Sequence, residues 1–321
     1  DTYEEIIYYF NLFLWNDRKL DRTKLIPVSE IFDEKGQFKP EQETRFRSWC
    51  QMYISYLKGD NPFTFPFRLN PPENIIAEID RTKDIYNKDI THPRKYLKLT
   101  RSFVSPLQQE VIKDLTVKSI SEPSLICILP ENKSFTETFE MREGQYRYRK
   151  EKFLAPSKVA LYSSKFGLIT QIISESSGII FVYSNIVEMG AQLFAMCLEE
   201  HGYDSALGNN ILKETSGEVV RGSRGRYALF TGSVSDSDIT KTLERLRART
   251  NADGSDIKVI IASPKVSEGV DFRYVRQVHI LDPWFNMSRL DQVIGRSMRT
   301  CSHSLLPFSS QNCTVYFHIC R

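Results

Sequence analysis

What this sequence lacks narrows its class first. No CxxC pair occurs, and Cys50, Cys127, Cys197, Cys301, Cys313 and Cys320 are scattered. That spacing argues against a zinc ribbon or a disulfide framework and for a reducing compartment. No apolar run approaches the ~18 residues of a membrane span, and no basic start followed by an apolar stretch marks a secretory signal. Charge of one sign is also scarce. The chain has 43 basic and 40 acidic side chains, a formal +3, too mild to announce a polyanion partner without a patch. A GxxxxGK[ST] phosphate loop is absent as well. Because the chain starts at Asp1 rather than Met, the expectation is a piece of a longer polypeptide.

What is present suits an ordinary globular protein. At ~150 residues per domain, 321 residues with 41% hydrophobic and 26% charged content predict about two domains, and disordered, collagenous and coiled-coil classes drop out. Residues 1 to about 95 look helical, with one apolar stripe at Ile6, Tyr9, Phe10, Phe13 and Leu14 and another at Trp49, Met52, Tyr53 and Tyr56. The stretch Asn61–Pro72 is too proline-rich for a helix or a central strand. It reads as an extended strap with Phe63, Phe65, Phe67 and Leu69 on one face. A further helix is expected over 104–118. Polar-alternating runs around Arg142-Glu143-Gly144 predict a hairpin within 134–152, its second arm alternating Tyr146, Arg147, Tyr148 and Arg149.

From about residue 153 strands and helices alternate. Strands are expected at 179–183, 227–231, 257–262, 277–281 and 314–319, with helices at about 158–175, 187–201, 236–249 and 287–299. This pattern predicts an α/β fold with a parallel sheet flanked by helices. The domain division expected is a mainly helical bridging region over 1–152 and an α/β domain over 153–321.

The sharpest chemical signal is Gln292-Val293-Ile294-Gly295-Arg296-Ser297-Met298-Arg299. Spacings of four and three place Gln292, Arg296 and Arg299 on one helix face. Two guanidiniums there offer planar, permanently charged forks for phosphate oxygens. Upstream, the apolar run ending at Ala262 delivers Ser263, then Ser267, Gly269 and Asp271 in a loop. Asp271 can accept hydrogen bonds from a sugar hydroxyl.

The ordered set GIIFVYSN (178–185), YALFTGSV (227–234), ASPKVSEGVDF (262–272) and QVIGRSMR (292–299) resembles motifs IV, IVa, V and VI of superfamily 2 helicases. The strap, the segment LAPSKVALYSSKFG and the stretch RTCSHSLLP resemble the helicase-like NTPases of large cytoplasmic DNA viruses, over nearly the whole chain. That group includes the poxvirus nucleoside triphosphatase I, the poxvirus early transcription factor small subunit and helicases of African swine fever virus, the last being the nearest in character.

The resemblance implies a second RecA-like domain over 153–321, preceded by the bridging region. It also implies roles. Arg299 would be the arginine finger, with Arg296 and Gln292 beside it, and Gly269 and Asp271 would lie at the nucleotide edge. Ser184, Asn185, Thr231, Gly232, Ser263 and Ser267 would grip a phosphate backbone, contacts that position a strand without reading its sequence. The implied cofactors are ATP and Mg²⁺, held mainly by a first RecA-like domain outside this chain. The implied partners are single- or double-stranded nucleic acid, that first domain and a viral RNA polymerase, with no membrane. The implied location is the host cytoplasm, in the virus factory, and the virion. A nucleic-acid-dependent ATPase or helicase serving viral transcription is expected. Its rival is a helicase-like scaffold that binds DNA and polymerase without motor activity.

The departures matter too. Nothing matches the phosphate-loop lysine, and the sole candidate for an acidic Mg²⁺ box, Asp33-Glu34, reads as a polar turn. The fragment alone is therefore expected not to hydrolyse ATP. The Tyr/Arg hairpin arm suits either base stacking or an edge strand. Arg221, Arg224 and Arg226 suit a phosphate contact or a solvated loop, and Lys241, Arg245, Arg247 and Arg249 read as a solvated face. Cys301, His303, Cys313, His318 and Cys320 fit no ordinary metal spacing, so no metal site is expected. Trp284, just beyond an expected strand, suits stacking or packing equally.

Overall fold

The β-branched runs of the C-terminal half form the sheet that their composition predicts. The computed structural model describes residues 3–33, 36–54, 64–77, 97–112, 123–232, 234–264, 270–283 and 287–320. Its strands are β1 (Phe67–Leu69), β2 (Thr100–Ser102), β3 (Phe139–Arg142), β4 (Gln145–Tyr148), β5 (Ile179–Tyr183), β6 (Asp204–Ser205), β7 (Arg226–Phe230), β8 (Ile257–Ala262), β9 (Val275–Ile280) and β10 (Asn312–Cys320). Its helices are α1 (Tyr3–Asn16), α2 (Val28–Ile31), α3 (Gln42–Tyr53), α4 (Pro106–Ile112), α5 (Phe135–Thr138), α6 (Val159–Tyr162), α7 (Ser164–Glu175), α8 (Leu193–Glu200), α9 (Asp236–Arg247) and α10 (Met287–Gly295). A π-helical stretch, Val187–Gln192, leads into α8.

The chain forms two compact units, Asp1–Asp60 and Asn61–Arg321. The change of character expected at 152/153 therefore falls inside the second unit. The cause is visible: β1 and β2 both pair with β10, and the β3–β4 hairpin packs Phe139, Tyr146 and Tyr148 into the core shared with α7 and α8. The strap expected over 61–72 is extended where it is described, and the helical character expected beyond it gives no α-helix over 73–77. Residues 64–77 hold an edge strand and a short 3-10 turn, as their prolines dictate.

In the first unit the buried α1 face is Ile7, Phe10 and Leu14, packed with Ile31, Phe32 and Trp49. Of the stripe expected from sequence, Ile6, Tyr9 and Phe13 are exposed, and so is Met52. The burial stripe is rotated because Asn11 also turns inward, donating from Nδ2 to the Ile7 and Ile26 carbonyls and accepting from Ile26 N. Asp33 makes the expected turn, its carboxylate accepting from Gln37 N at 2.9 Å; Glu34 lies outside the described residues.

In the second unit the sheet order is β1-β10-β9-β5-β8-β7-β6, with β2 also on β10, and every described pairing in it is parallel. Alternate residues of β5 enter two different cores. Ile180 and Val182 join Phe166, Ile169, Ile173, Phe194 and Leu198 of α7 and α8, while Ile179 and Phe181 join Leu246 of α9 and Leu290, Val293 and Ile294 of α10. The result is the three-layer RecA-like α/β/α architecture, with each buried Ile, Val or Phe contributing about 1.5–3 kcal/mol. The hairpin turns through Glu143 and Gly144, both at positive φ (53° and 79°), a conformation that a tight two-residue hairpin turn requires.

Candidate functional site

Two polar clusters lie at opposite ends of the strands. Along the carboxyl ends, β9, β5, β8 and β7 set Asp282, Ser184 and Asn185, Ser263, and Thr231 and Gly232 side by side. Backbone bonds tie them together: Leu281 N to Tyr183 O (2.9 Å), Ser184 N to Ala262 O (3.2 Å) and Ser263 N to Phe230 O (3.1 Å). This is the end of an open parallel sheet at which ligands bind.

The side chains there differ in availability. Ser184 is fully buried and donates from Oγ to Ile186 O at 3.0 Å, so its hydroxyl holds the turn and faces away from solvent. Ser263 is also buried, yet among the described residues its Oγ has no hydrogen-bond partner. Thr231 is buried and Gly232 exposed. Asn185 is held by its backbone N–H, which donates to both Asp282 carboxylate oxygens at 3.0 and 2.9 Å. Sequence reasoning missed Asp282, although its place just beyond a strand was a usable signal. Burial pushes its carboxyl up to about 6, against the hydrogen bonds from Asn185 and the nearby Lys165. Lys165 is itself buried and donates from Nζ to Leu281 O at 2.7 Å; burial depresses its pKa. Ser267, Gly269 and Trp284 lie outside the described residues.

At the amino end of β9 lies the second cluster. Arg299 donates from Nη1 to Asp271 Oδ2 at 2.9 Å and from Nε to Gly295 O at 3.1 Å. Arg247, the last residue of α9, donates from Nε and Nη2 to the Asp271 carbonyl at 3.3 and 3.1 Å. Arg247 is exposed, as a solvated face requires, and it also clamps the candidate site. Phe272 N donates to Arg296 O at 2.9 Å, and the Phe272 ring packs on Phe181 and Phe230.

The single helix face expected for Gln292, Arg296 and Arg299 is also corrected. The helix ends at Gly295, and Arg296 and Arg299 lie in the turns beyond it, so only Gln292 is helical. The helix stops because the Arg296 carbonyl is taken by Phe272 N, while Ser302 Oγ accepts from Arg299 N at 3.3 Å. Gln292 and Arg299 are exposed and Arg296 is half-buried. The turn is anchored to β9 by Tyr274 N donating to Ser302 O (3.1 Å) and by His303 Nε2 on Val275 O (2.7 Å).

The remaining candidates resolve into structure. Arg221 donates to Leu212 O, Arg226 pairs with Asp256, and Arg245 pairs with Asp256 and bonds Ala206 O. The phosphate contact considered for Arg221 and Arg226 is thereby replaced by loop and sheet anchoring. His318 faces His279, ring nitrogens 2.9 Å apart, and burial pushes His279 down to about 3. Among the described residues no three His, Cys, Asp or Glu side chains gather as a metal-ligand set.

Residues 164–301, from the start of α7 through the Arg299 turn, match the helicase conserved C-terminal domain. This chain contains a helicase C-terminal domain. A relative in Acanthamoeba polyphaga mimivirus, provisionally named an ATP-dependent RNA helicase, is 28% identical over 94% of the chain and 50% of its own length. A termination factor NPH-I homolog of African swine fever virus is 27% identical over 57% of the chain and 29% of its own length. The chain thus spans half or less of these relatives. The structure of the C-terminal part of the Fun30 ATPase domain aligns at 16% identity with a TM-score of 0.35, over 50% of this chain and 42% of that one. The helicase C-terminal domain here is of the superfamily 2 type found in large DNA viruses.

Proposed function

We propose that this chain is the C-terminal part of a nucleic-acid-dependent ATPase that translocates on or remodels nucleic acid, and that it serves viral transcription. The relatives' names, an RNA helicase and a termination factor, support that reading. The observation that carries it is the Asp271–Arg299–Arg247 cluster: an exposed, permanently charged guanidinium held in one orientation by a carboxylate. Such a group suits the charge that develops on a transferred phosphoryl group. The helicase resemblance assigns Arg296 and Gln292 to the same site. As the helicase resemblance implies, we assign the carboxylates that would hold Mg²⁺ to a first RecA-like domain of the same polypeptide.

At the other end of the sheet we assign backbone contact with nucleic acid to Asn185 and Gly232, a reading supported by their place beyond the strand ends, where neither is buried. A change at one end would reach the other through strands β5, β8 and β9. The experiment is ATP turnover by the full-length polypeptide with and without single-stranded DNA or RNA. Stimulation by nucleic acid is expected. A folded full-length protein with no turnover under either condition would contradict the motor and leave the scaffold.

A further inference from the structure

A groove of about 450 Å³ runs along the flank of α7, away from both clusters above. Its floor is one helix face, Ser164, Gly167, Leu168, Gln171 and Ser174, at the i, i+3, i+4, i+7 spacing of a single stripe. Those positions span ~15 Å at 1.5 Å per residue. Gly167 lets α6 approach closely, since a Cβ there would meet the Ala160 Cβ at 3.1 Å, so the floor stays shallow and smooth.

The groove's charge is one-sided. Among the described residues Arg101 and Arg224 line it and no Asp or Glu does; His201 lines it too, in a buried position that favours its neutral form. The positions of these groups follow from topology. Arg101 and Phe103 lie where β2 pairs with the carboxyl end of β10, while His201 and Arg224 lie where α8 ends and β7 begins, at the opposite end of α7. Cationic groups therefore stand toward both ends of an apolar and hydroxyl-lined trough.

A second feature points to a missing ligand. Ser102 is 2% exposed and lines the groove, and among the described residues its Oγ has no hydrogen-bond partner; Arg101 Nε beside it is equally unpaired there. Buried polar groups left so are costly unless something supplies the bond. At the rim the Arg101 guanidinium lies 4.3 Å from the centroid of the Phe103 ring, and Phe103 is 69% exposed.

We infer that this groove binds an acidic, partly apolar peptide segment of a protein partner. Ile75, Pro156, Ala160 and Leu168 take its aliphatic side chains, and Arg101 and Arg224 take its carboxylates. A nucleic-acid strand fits less well, because the aromatic platform needed for successive bases is present at one end only, and the groove leaves the carboxyl edge of the sheet instead of following it.

The test is fluorescence anisotropy of this chain with a short labelled peptide of alternating glutamate and leucine, its lysine–leucine counterpart, and a labelled oligothymidine strand. Wild type should bind the acidic peptide at least about tenfold more tightly than the basic one, and the double variant Arg101→Glu/Arg224→Glu should reverse that preference. Gln171→Trp, an exposed substitution in the groove floor, should weaken the acidic peptide without altering the thermal midpoint. Equal binding of both peptides, or an acidic preference that survives the charge reversal, overturns the inference. Oligothymidine binding lost in the double variant, with no peptide preference in wild type, assigns the groove to a nucleic-acid strand and likewise overturns it.

Discussion

Asp271 holds Arg299. The 2.9 Å bond between them joins a residue just ahead of β9 to one just beyond α10, and Arg247 fixes the Asp271 carbonyl from a third element. A guanidinium on a flexible stem is thereby presented in one orientation, although both partners are 45% exposed.

An ion pair so exposed contributes little to folding, ~1 kcal/mol or less. Asp271→Asn should therefore leave the urea midpoint of this chain nearly unchanged. In the full-length protein it should slow ATP turnover by ~10²-fold, the order of effect expected when a reacting group is misplaced by about an ångström. A large loss of stability with normal turnover would show that the pair serves the fold.

Gly190 packs against Ser184, and a Cβ there would fall on the Ser184 hydroxyl and side chain. Gly190→Ala should cost ~1–3 kcal/mol as overpacking does. Adding Ser184→Gly should recover part of that loss, and a double-mutant cycle by chemical denaturation measures the coupling. Additive losses would mean that the two residues do not meet.

Glu199 is fully buried and accepts from Ile211 N at 2.6 Å, Leu212 N at 2.7 Å and Tyr227 Oη at 2.5 Å. It fastens the loop between β6 and β7 to the end of α8. Glu199→Ala strands these donors and should destabilise the domain by ~3 kcal/mol or more. Tyr227→Phe, which removes one of them, should cost clearly less. Equal midpoints for wild type and Glu199→Ala would refute this anchoring.

Asp282 gives a pH dependence of defined sign. Its carboxyl is raised from 3.8 to about 6 by burial, so between those values the folded state binds more protons than the unfolded state. The contribution is full below about pH 4 and is lost as pH rises through about 6. Asp282→Asn removes that titration. The stability of the variant relative to wild type should rise by ~2–3 kcal/mol from pH 4 to pH 7, read from denaturation curves at each pH. A difference that is flat across this range would place the carboxyl in water.

The central strands were legible because both of their faces are buried. Runs such as Ile179–Tyr183 and Ile257–Ala262 are nearly continuous in apolar residues, and the structure keeps those bounds. The three-residue strands β1 and β2 were not legible, since their pairing depends on β10, more than two hundred positions away along the chain. The end of α10 was illegible for a similar reason. Periodicity carried the helix on to Arg299, whereas the bond from Phe272 N to Arg296 O ends it. Motif spacing pointed to Asp271 and Arg299 separately. Their contact, the part played by Arg247, and the grip of Asp282 on Asn185 are tertiary facts that no local pattern encodes.

The central claim is that Arg299 acts on the phosphoryl group, and steady-state ATP turnover of the full-length protein tests it most directly. Wild type should be compared with Arg299→Ala and Arg299→Lys in the presence of single-stranded nucleic acid. The account predicts a loss of ~10³-fold or more for the alanine variant, little rescue by lysine, which lacks the planar fork, and unchanged thermal midpoints. Turnover that survives Arg299→Ala in a folded protein would contradict it.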